Sequence, residues 1–397
     1  MTKLRRQATW VAVAAVVLIS LNLRPGATVL GPIIAEVLAG LGQGAAWGGV
    51  LTALPGVCFA FFGSLAVAFS LRVGLNGALW LGMAAAAIGL GVRAWVSDAA
   101  WFLALTVLGF AGIAIGNVLV PAFIKRRFPE RVATLTAAYS TCLAVGATTA
   151  SALAVPMARS LPGGWRAALF GCGLTALAAV VPMVAVAVTD RSAGVTRRRD
   201  KGPSLLRSRR AVALGVFFGI QSMQAYVQFG WVSQMFRDGG LDAAYAGLLV
   251  SIIPAFGIPA GLVMARLVDR VADLRPVVVV MGVLLAVGYL GILYAPTFLP
   301  WLWATALGLS GAAFPMALAL ITARSRDPHV TARLSGFGQT IGYTFAALGP
   351  FLVGVVHGVT GGWAVPLWVL IASSVAMVVA GFGAVARGYV DDDLAGP

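Results

Sequence analysis

TWVAVAAVVLISLNLRPGATVLGPIIAE, residues 9–36, is apolar along most of its length and carries one arginine, Arg24, near its middle. The hydrocarbon core of a bilayer is about 30 Å thick, and a helix needs about 20 apolar residues to cross it. This run exceeds that length and predicts a membrane-spanning helix. An arginine at the centre of such a helix costs roughly 2.5–3.5 kcal/mol on insertion scales. The charge is retained where it faces a water-filled cavity or a partner, and residues of this kind mark substrate paths. Arg24 is too deep in the run for easy snorkelling. Pairing with another helix is its plainer, structural alternative.

The rest of the chain repeats the pattern. Its 397 residues are 60% hydrophobic and 10% charged, with a mean hydropathy of +0.94. That balance describes a polytopic membrane protein. Twelve stretches are long enough to cross. The first half contributes 9–36, 45–70, 75–93, 100–124, 131–157 and 165–188. The second contributes 211–235, 244–267, 276–294, 298–322, 333–356 and 363–386. The basic start, Lys3, Arg5 and Arg6 before an apolar run, is laid out like a signal peptide. No small-residue cleavage site follows, so it reads as a retained first helix.

Charge sets the expected orientation. The N-terminal tail and alternate loops hold Lys125, Arg126, Arg127 and Arg131, a run from Arg191 to Arg210, then Arg266, Arg270, Arg275, Arg324, Arg326 and Arg333. The opposite loops hold Arg93, Arg159, Arg166 and Arg237. The positive-inside rule then places both termini in the cytoplasm of a multi-pass protein of the cell's inner membrane. The net charge of +15 is accounted for by orientation and contact with anionic lipid. It calls for no nucleic-acid partner. Cys58, Cys142 and Cys172 fall inside predicted spans, at spacings that suit neither a metal site nor a disulfide framework. No cofactor is implied.

The chain repeats itself at an offset of 199 residues. Asn22 meets Gln221, Gly48 meets Gly247, and Pro55 meets Pro254. Gly109, Gly112, Ala114 and Leu119 meet Gly308, Gly311, Ala313 and Leu318; Lys125, Arg127 and Pro129 meet Arg324, Arg326 and Pro328. With a one-residue slip, Gly163-Gly164-Trp165 meets Gly361-Gly362-Trp363. An offset of six helices preserves orientation, so these are parallel repeats: a six-helix bundle over 1–188, a basic cytoplasmic linker over 189–210 and a second bundle over 211–397. This all-α, six-plus-six arrangement resembles the major facilitator fold, which implies two halves that rock about a midplane site.

The resemblance narrows further. Asn22-Leu23-Arg24-Pro25 followed by Gly31-Pro32, Leu51-x-x-Leu54-Pro55 with Gly63-x-Leu65-Ala66, and Gln339-x-x-Gly342-Tyr343 resemble the cyanate permease and 2-nitroimidazole transporter family. The likeness runs over essentially the whole chain. It departs from the superfamily after helix 2. Val67 stands where an aspartate is usual, and Arg72-Val73-Gly74 follows without the second basic residues. The acidic latch of that loop is therefore not expected.

Several side chains are candidates for solute contact. Pro25 lacks an N–H and crowds the carbonyl of Leu21, so Arg24 is expected beside a distorted, polar stretch of helix. Its guanidinium is a planar fork of donors that suits small oxyanions and stays charged at any relevant pH. Thr28 follows on the same side, among small residues. Asn22 lies about 160° around an ideal helix from Arg24, and either joins the ligand or bonds across to a neighbour. Helix 7 carries Gln221, Gln224, Gln228 and Trp231 at helical spacing. Such a stripe lines a cavity or bonds helices together through its amides. Helix 11 adds Gln339 and Tyr343 above Ser335; Tyr139 on helix 5 and Asn117 on helix 4 complete the set. Carboxylates are absent from the span interiors; only Glu36 lies near one, at an outer end. The deep acidic or histidine relay of proton pumps is thus missing.

These residues and the resemblance imply a secondary active or facilitative transporter of a small anionic or weakly acidic solute: cyanate-like, a small carboxylate or a nitro-heteroaromatic. Arg24 would be its counter-ion and the protein would act as a monomer. The alternative is an exporter of broader, more apolar compounds that makes little use of Arg24. A membrane enzyme is disfavoured, because no nucleophile–base pair, metal cluster or phosphate loop is present. A sensor is disfavoured because the tails hold no signalling domain.

Overall fold

The computed structural model describes residues 3–189 and 203–395. The part of the basic linker over 190–202, with Arg191, Arg197, Arg198, Arg199 and Lys201, lies outside the described residues. Among the described residues all regular structure is helical. That follows from the solvent: in lipid each backbone N–H and C=O must be satisfied within its own segment, and an apolar run does this by coiling.

In the first half, α1 is built in four pieces, Lys3–Asn22, Pro25–Thr28, a 3-10 turn Gly31–Ile33 and Ile34–Gly40. It is followed by α2 (Ala45–Val73), α3 (Leu75–Val92), α4 (Ala99–Arg127), α5 (Val132–Ser160) and α6 (Trp165–Thr189). The second half gives α7 (Arg209–Asp238), then α8 in two pieces, Ala243–Ala255 and Gly257–Arg270, and α9 (Arg275–Tyr294). After these come α10 in two pieces, Pro300–Ser310 and Ala313–Ala323, α11 (Pro328–Thr360), α12 (Ala364–Val385) and a short α13 (Val390–Ala395). Each of the twelve predicted stretches corresponds to one of α1–α12.

Eleven of these segments are long and apolar enough to cross a membrane. The twelfth, α7, is long enough but carries too many polar residues, among them Gln221, Gln224 and Gln228. All three are at most 5% exposed. A helix that turns its amides inward does not have to be apolar all round.

The interruptions fall where proline chemistry puts them. A proline removes the N–H that would bond the carbonyl four residues earlier. Pro25 follows Leu21 and Pro32 follows Thr28, which brackets the two breaks in α1. Pro259 follows Ala255, the last residue before the break in α8, and Pro315 follows Gly311 in the break of α10. Proline is not sufficient, because Pro55, Pro121, Pro156, Pro182 and Pro350 lie inside continuous helices.

The chain forms two compact units, Met1–Gln43 with Cys58–Arg198, and Gly44–Val57 with Arg199–Pro397. The first turns of α2 therefore belong to the second unit. There Gly49 and Gly354 bring α2 and α11 so close that a Cβ on either would meet the other's backbone.

On the second unit, α13 is tied down by charge. Asp393 takes hydrogen bonds from Arg210 and from the Ser208 hydroxyl, and Asp392 pairs with Arg326 at 3.0 Å. Asp391 accepts the backbone N–H groups of Arg326 and Asp327 at 3.0 and 2.9 Å. The Arg326 guanidinium lies 3.8 Å from the Tyr389 ring centroid, and the Val390 N–H bonds the Arg324 carbonyl at 2.9 Å.

Candidate functional site

Arg24 stands at the first break of α1, as the residue that opens the turn Pro25–Thr28. Its carbonyl accepts the N–H groups of Ala27 and Thr28 at 3.0 and 3.2 Å. A turn of four residues cannot hold itself by its own ladder, since its first N–H and last C=O groups have no partner within it. Neighbouring helices hold it instead. The Thr28 hydroxyl donates to the Ala147 carbonyl of α5 at 3.2 Å. The Ser151 hydroxyl of α5 donates to the Thr28 carbonyl at 3.1 Å, the group that Pro32 leaves without its helical donor. Just before the break, the Asn22 amide donates to Leu18 at 2.8 Å and across to the Thr175 carbonyl of α6 at 3.0 Å. Of its two expected roles, Asn22 takes the bond to a neighbouring helix. Thr28 is fully buried and likewise serves the scaffold.

Two glycines admit α4 and α5 to this place. Leu23 of α1 lies over Gly116, and a Cβ at Gly146 would overlap the Leu21 carbonyl oxygen. The residue after Gly116 is Asn117, whose Oδ1 accepts the Tyr139 hydroxyl of α5 at 3.0 Å. Leu23, the neighbour of Arg24, packs on Gly116, so this pair lies next to the first break of α1. Arg24, Asn117 and Tyr139 are each half-buried. Three of the sequence candidates thus fall in one part of the first unit: an amide–phenol pair on α4 and α5, and Arg24 at the α1 break packed next to them.

The Major Facilitator Superfamily model matches residues 12–307. The chain belongs to the major facilitator superfamily. An uncharacterized transporter, YycB, of Bacillus subtilis is 33% identical over 97% of this chain and 95% of its own length. The 2-nitroimidazole transporter of Escherichia coli is 32% identical over 94% of both chains, and the cyanate transport protein CynX of Escherichia coli is 30% identical over 87% of this chain and 90% of its own. Among solved structures, the nucleoside transporter NupG overlays with a TM-score of 0.74 at 12% identity, covering 95% of this chain and 98% of that one. The facilitator is therefore a multi-pass membrane transporter of small solutes, as its relatives are, and not an enzyme.

In the second unit of this facilitator the glutamine stripe is engaged in packing. Gln224 donates to the Leu370 carbonyl at 3.2 Å and to the Ser373 hydroxyl at 2.5 Å, both on α12, while its Oε1 accepts the Tyr289 hydroxyl of α9 at 2.6 Å. Gln228 lies beside that same hydroxyl, and Gln221 donates to Ser222 at 2.8 Å. Trp231 is 1% exposed and its indole N–H bonds the Pro350 carbonyl at 3.0 Å. It packs against Trp363, which stacks on His357 with ring centroids 3.8 Å apart. On α11, Gln339 donates to Ser335 at 3.1 Å, one turn away, and Tyr343 follows on the same face; both Gln339 and Tyr343 are half-buried.

One charged residue lies elsewhere than its sequence position implies. Arg93, expected in an outer loop, is 0% exposed, in the 3-10 turn Arg93–Trp95 that ends α3. Its guanidinium donates to the Thr106 hydroxyl of α4 at 3.3 Å and to the Gly26 carbonyl at 3.4 Å. A position at the end of an apolar run looks like a loop whether the side chain turns outward or inward, so spacing carried no signal of this.

Proposed function

We propose that this transporter carries a small anionic or weakly acidic solute by alternating access, with Arg24 as the solute's counter-ion. The observation that supports this reading best is the placing of Arg24. A charged residue in mid-span opens a broken turn, half-buried, beside the hydrogen-bonded Asn117–Tyr139 pair. A guanidinium binds planar oxyanions through two parallel N–H groups. The neighbouring amide and phenol can orient the rest of a small ligand. The relatives named for cyanate and 2-nitroimidazole transport point to the same solute chemistry: compact, polar and either anionic or weakly acidic.

The test is ligand-induced thermal stabilisation of the detergent-purified protein by cyanate, short carboxylates and 2-nitroimidazole. A ligand that binds only the folded state stabilises it by RT ln(1 + [L]/Kd), about 2.7 kcal/mol at a hundred times Kd. Wild type is expected to be stabilised by one of these classes, and Arg24→Gln by none, although the variant folds and inserts. Equal stabilisation of both proteins, or stabilisation only by neutral apolar compounds, would replace this reading with that of a broad exporter.

A further inference from the structure

Arg93 is completely buried, yet no carboxylate among the described residues pairs with it. Its charge is met by the Thr106 hydroxyl, the Gly26 carbonyl and the face of Phe102, whose ring centroid lies 5.7 Å from the guanidinium carbon. Its Nε is buried without a hydrogen-bond partner. Placing a guanidinium in such surroundings is costly, and an apolar residue of similar size would fill the space without that penalty. What an arginine supplies there and a methionine does not is a pair of donors held in one plane. One of them reaches α4. The other reaches Gly26, two residues from Arg24, in the turn Pro25–Thr28.

That turn is cut off by breaks from the helix Lys3–Asn22 before it and from the 3-10 turn Gly31–Ile33 after it. The Ser151 and Thr28 hydroxyls tie its far end to α5, and the Thr28 hydroxyl also lies 3.4 Å from the Arg24 carbonyl. The bond from Arg93 acts on the near end. Loss of that bond would remove the tie between this end and α4, and any shift of the turn would carry Arg24 with it. We infer that Arg93 is a positioning residue: by bridging Thr106 and the Gly26 carbonyl it fixes the Pro25–Thr28 turn so that the Arg24 guanidinium is held in place for the solute. The inference rests on Arg24 as the solute's counter-ion, and it assigns no contact between Arg93 and the solute. Geometry, and not the charge of Arg93, is what matters here. A lysine keeps the charge but reaches only one of the two acceptors.

The experiment compares wild type, Arg93→Lys, Arg93→Met, Arg24→Gln and the double variant Arg24→Gln/Arg93→Met. Cyanate affinity and amide hydrogen exchange over residues 24–30 are read for each. Misplacing a binding group by about an ångström weakens its action up to about a hundredfold. Arg93→Met is expected to raise the cyanate Kd about tenfold or more and to speed exchange across 24–30. Arg93→Lys should raise Kd by a smaller factor. The double variant should behave like Arg24→Gln alone, because Arg93 acts through Arg24. Wild-type Kd and wild-type exchange in both Arg93 variants would overturn the inference, whatever happens to their melting temperatures. Full rescue by lysine would overturn it too, leaving Arg93 as a source of charge. If Arg93→Met does not fold, Arg93→Lys decides on the same two readings. Should wild type and Arg24→Gln bind cyanate alike, the reading of Arg24 fails by itself. Exchange across 24–30 then measures the pin separately, and unchanged exchange in Arg93→Lys overturns it.

Discussion

Gln224 sits where α7 meets α9 and α12, with both ends of its amide in use: two donated bonds, to Leu370 and Ser373, and one accepted from Tyr289. A leucine of similar size would take one acceptor from the buried Tyr289 hydroxyl, beside which Gln228 remains, and the net worth of one such hydrogen bond is about 0.5–1.5 kcal/mol. Gln224→Leu should therefore lower stability by that amount in thermal or denaturant unfolding and leave the solute Kd where it was. Lost affinity at unchanged stability would return Gln224 to the ligand. Tyr139 differs, being half-buried and bonded to Asn117, which follows Gly116 where Leu23 of α1 packs. Tyr139→Phe removes one hydroxyl and should weaken solute binding by about 0.5–1.5 kcal/mol, the net worth of one hydrogen bond. An unchanged Kd in a titration of the variant would remove Tyr139 from the site. Arg24 was legible in the sequence because a charge in mid-span has few bland explanations. A stripe of amides has two equally good ones, lining and packing, and only their partners separate them.

At the scale of elements, the sequence located the spans to within a few residues because bilayer thickness fixes their length. It also anticipated distortion beside Arg24, since Pro25 cannot bond the Leu21 carbonyl. It did not foresee the breaks in α8 and α10. Prolines at Pro259 and Pro315 accompany those breaks, but five other prolines lie in continuous helices, so the residue type alone does not decide. Nor did it see that the acidic tail folds back as α13. That tie depends on pH in a definite direction. Partial burial works against the Asp391 charge, but the N–H groups of Asp327 and Arg326 and the Arg326 guanidinium outweigh it and hold the carboxyl below the usual aspartate range. A carboxyl depressed in the folded protein gives stability that is fully present above its unfolded pKa of about 3.9. That stability is lost as pH falls through the folded value. The melting temperature should therefore fall on acidification below about pH 4, and Asp391→Asn should flatten that acid limb. At neutral pH, Asp393→Asn should release the bonds to Arg210 and Ser208 and speed tryptic cleavage after exposed Arg387. Unaltered cleavage would mean that the tail is held by other contacts.

For the molecule as a whole, the strongest signal was repetition. Matches at one offset that include Pro55 with Pro254 and Lys125, Arg127 and Pro129 with Arg324, Arg326 and Pro328 lie beyond what low complexity produces. Membership of the major facilitator superfamily agrees with them. Equal residues in the repeats do not adopt equal local structures: α2 runs unbroken through Pro55, while α8 breaks just after Pro254. The second unit has the additional Pro259. The charge asymmetry bears on one further global property, the expected orientation in the membrane. Burial of Arg93 leaves Arg159, Arg166 and Arg237 as the basic residues expected at outer loops, which sharpens the contrast with the opposite side. The N-terminus and the linker should therefore face the cytoplasm. Cysteine labelling tests this in intact cells. Cys58 and Cys172 are buried and Cys142 is half-buried, so Cys142→Ser gives a quiet background. In it, a cysteine replacing exposed Ser97, between α3 and α4, should react with a membrane-impermeant maleimide added outside. One replacing exposed Ser204, just before α7, should react only after the cells are opened. The reverse pattern would turn the protein over in the membrane. It would also require a force stronger than about 1 kcal/mol per surface lysine or arginine, acting against every basic loop at once.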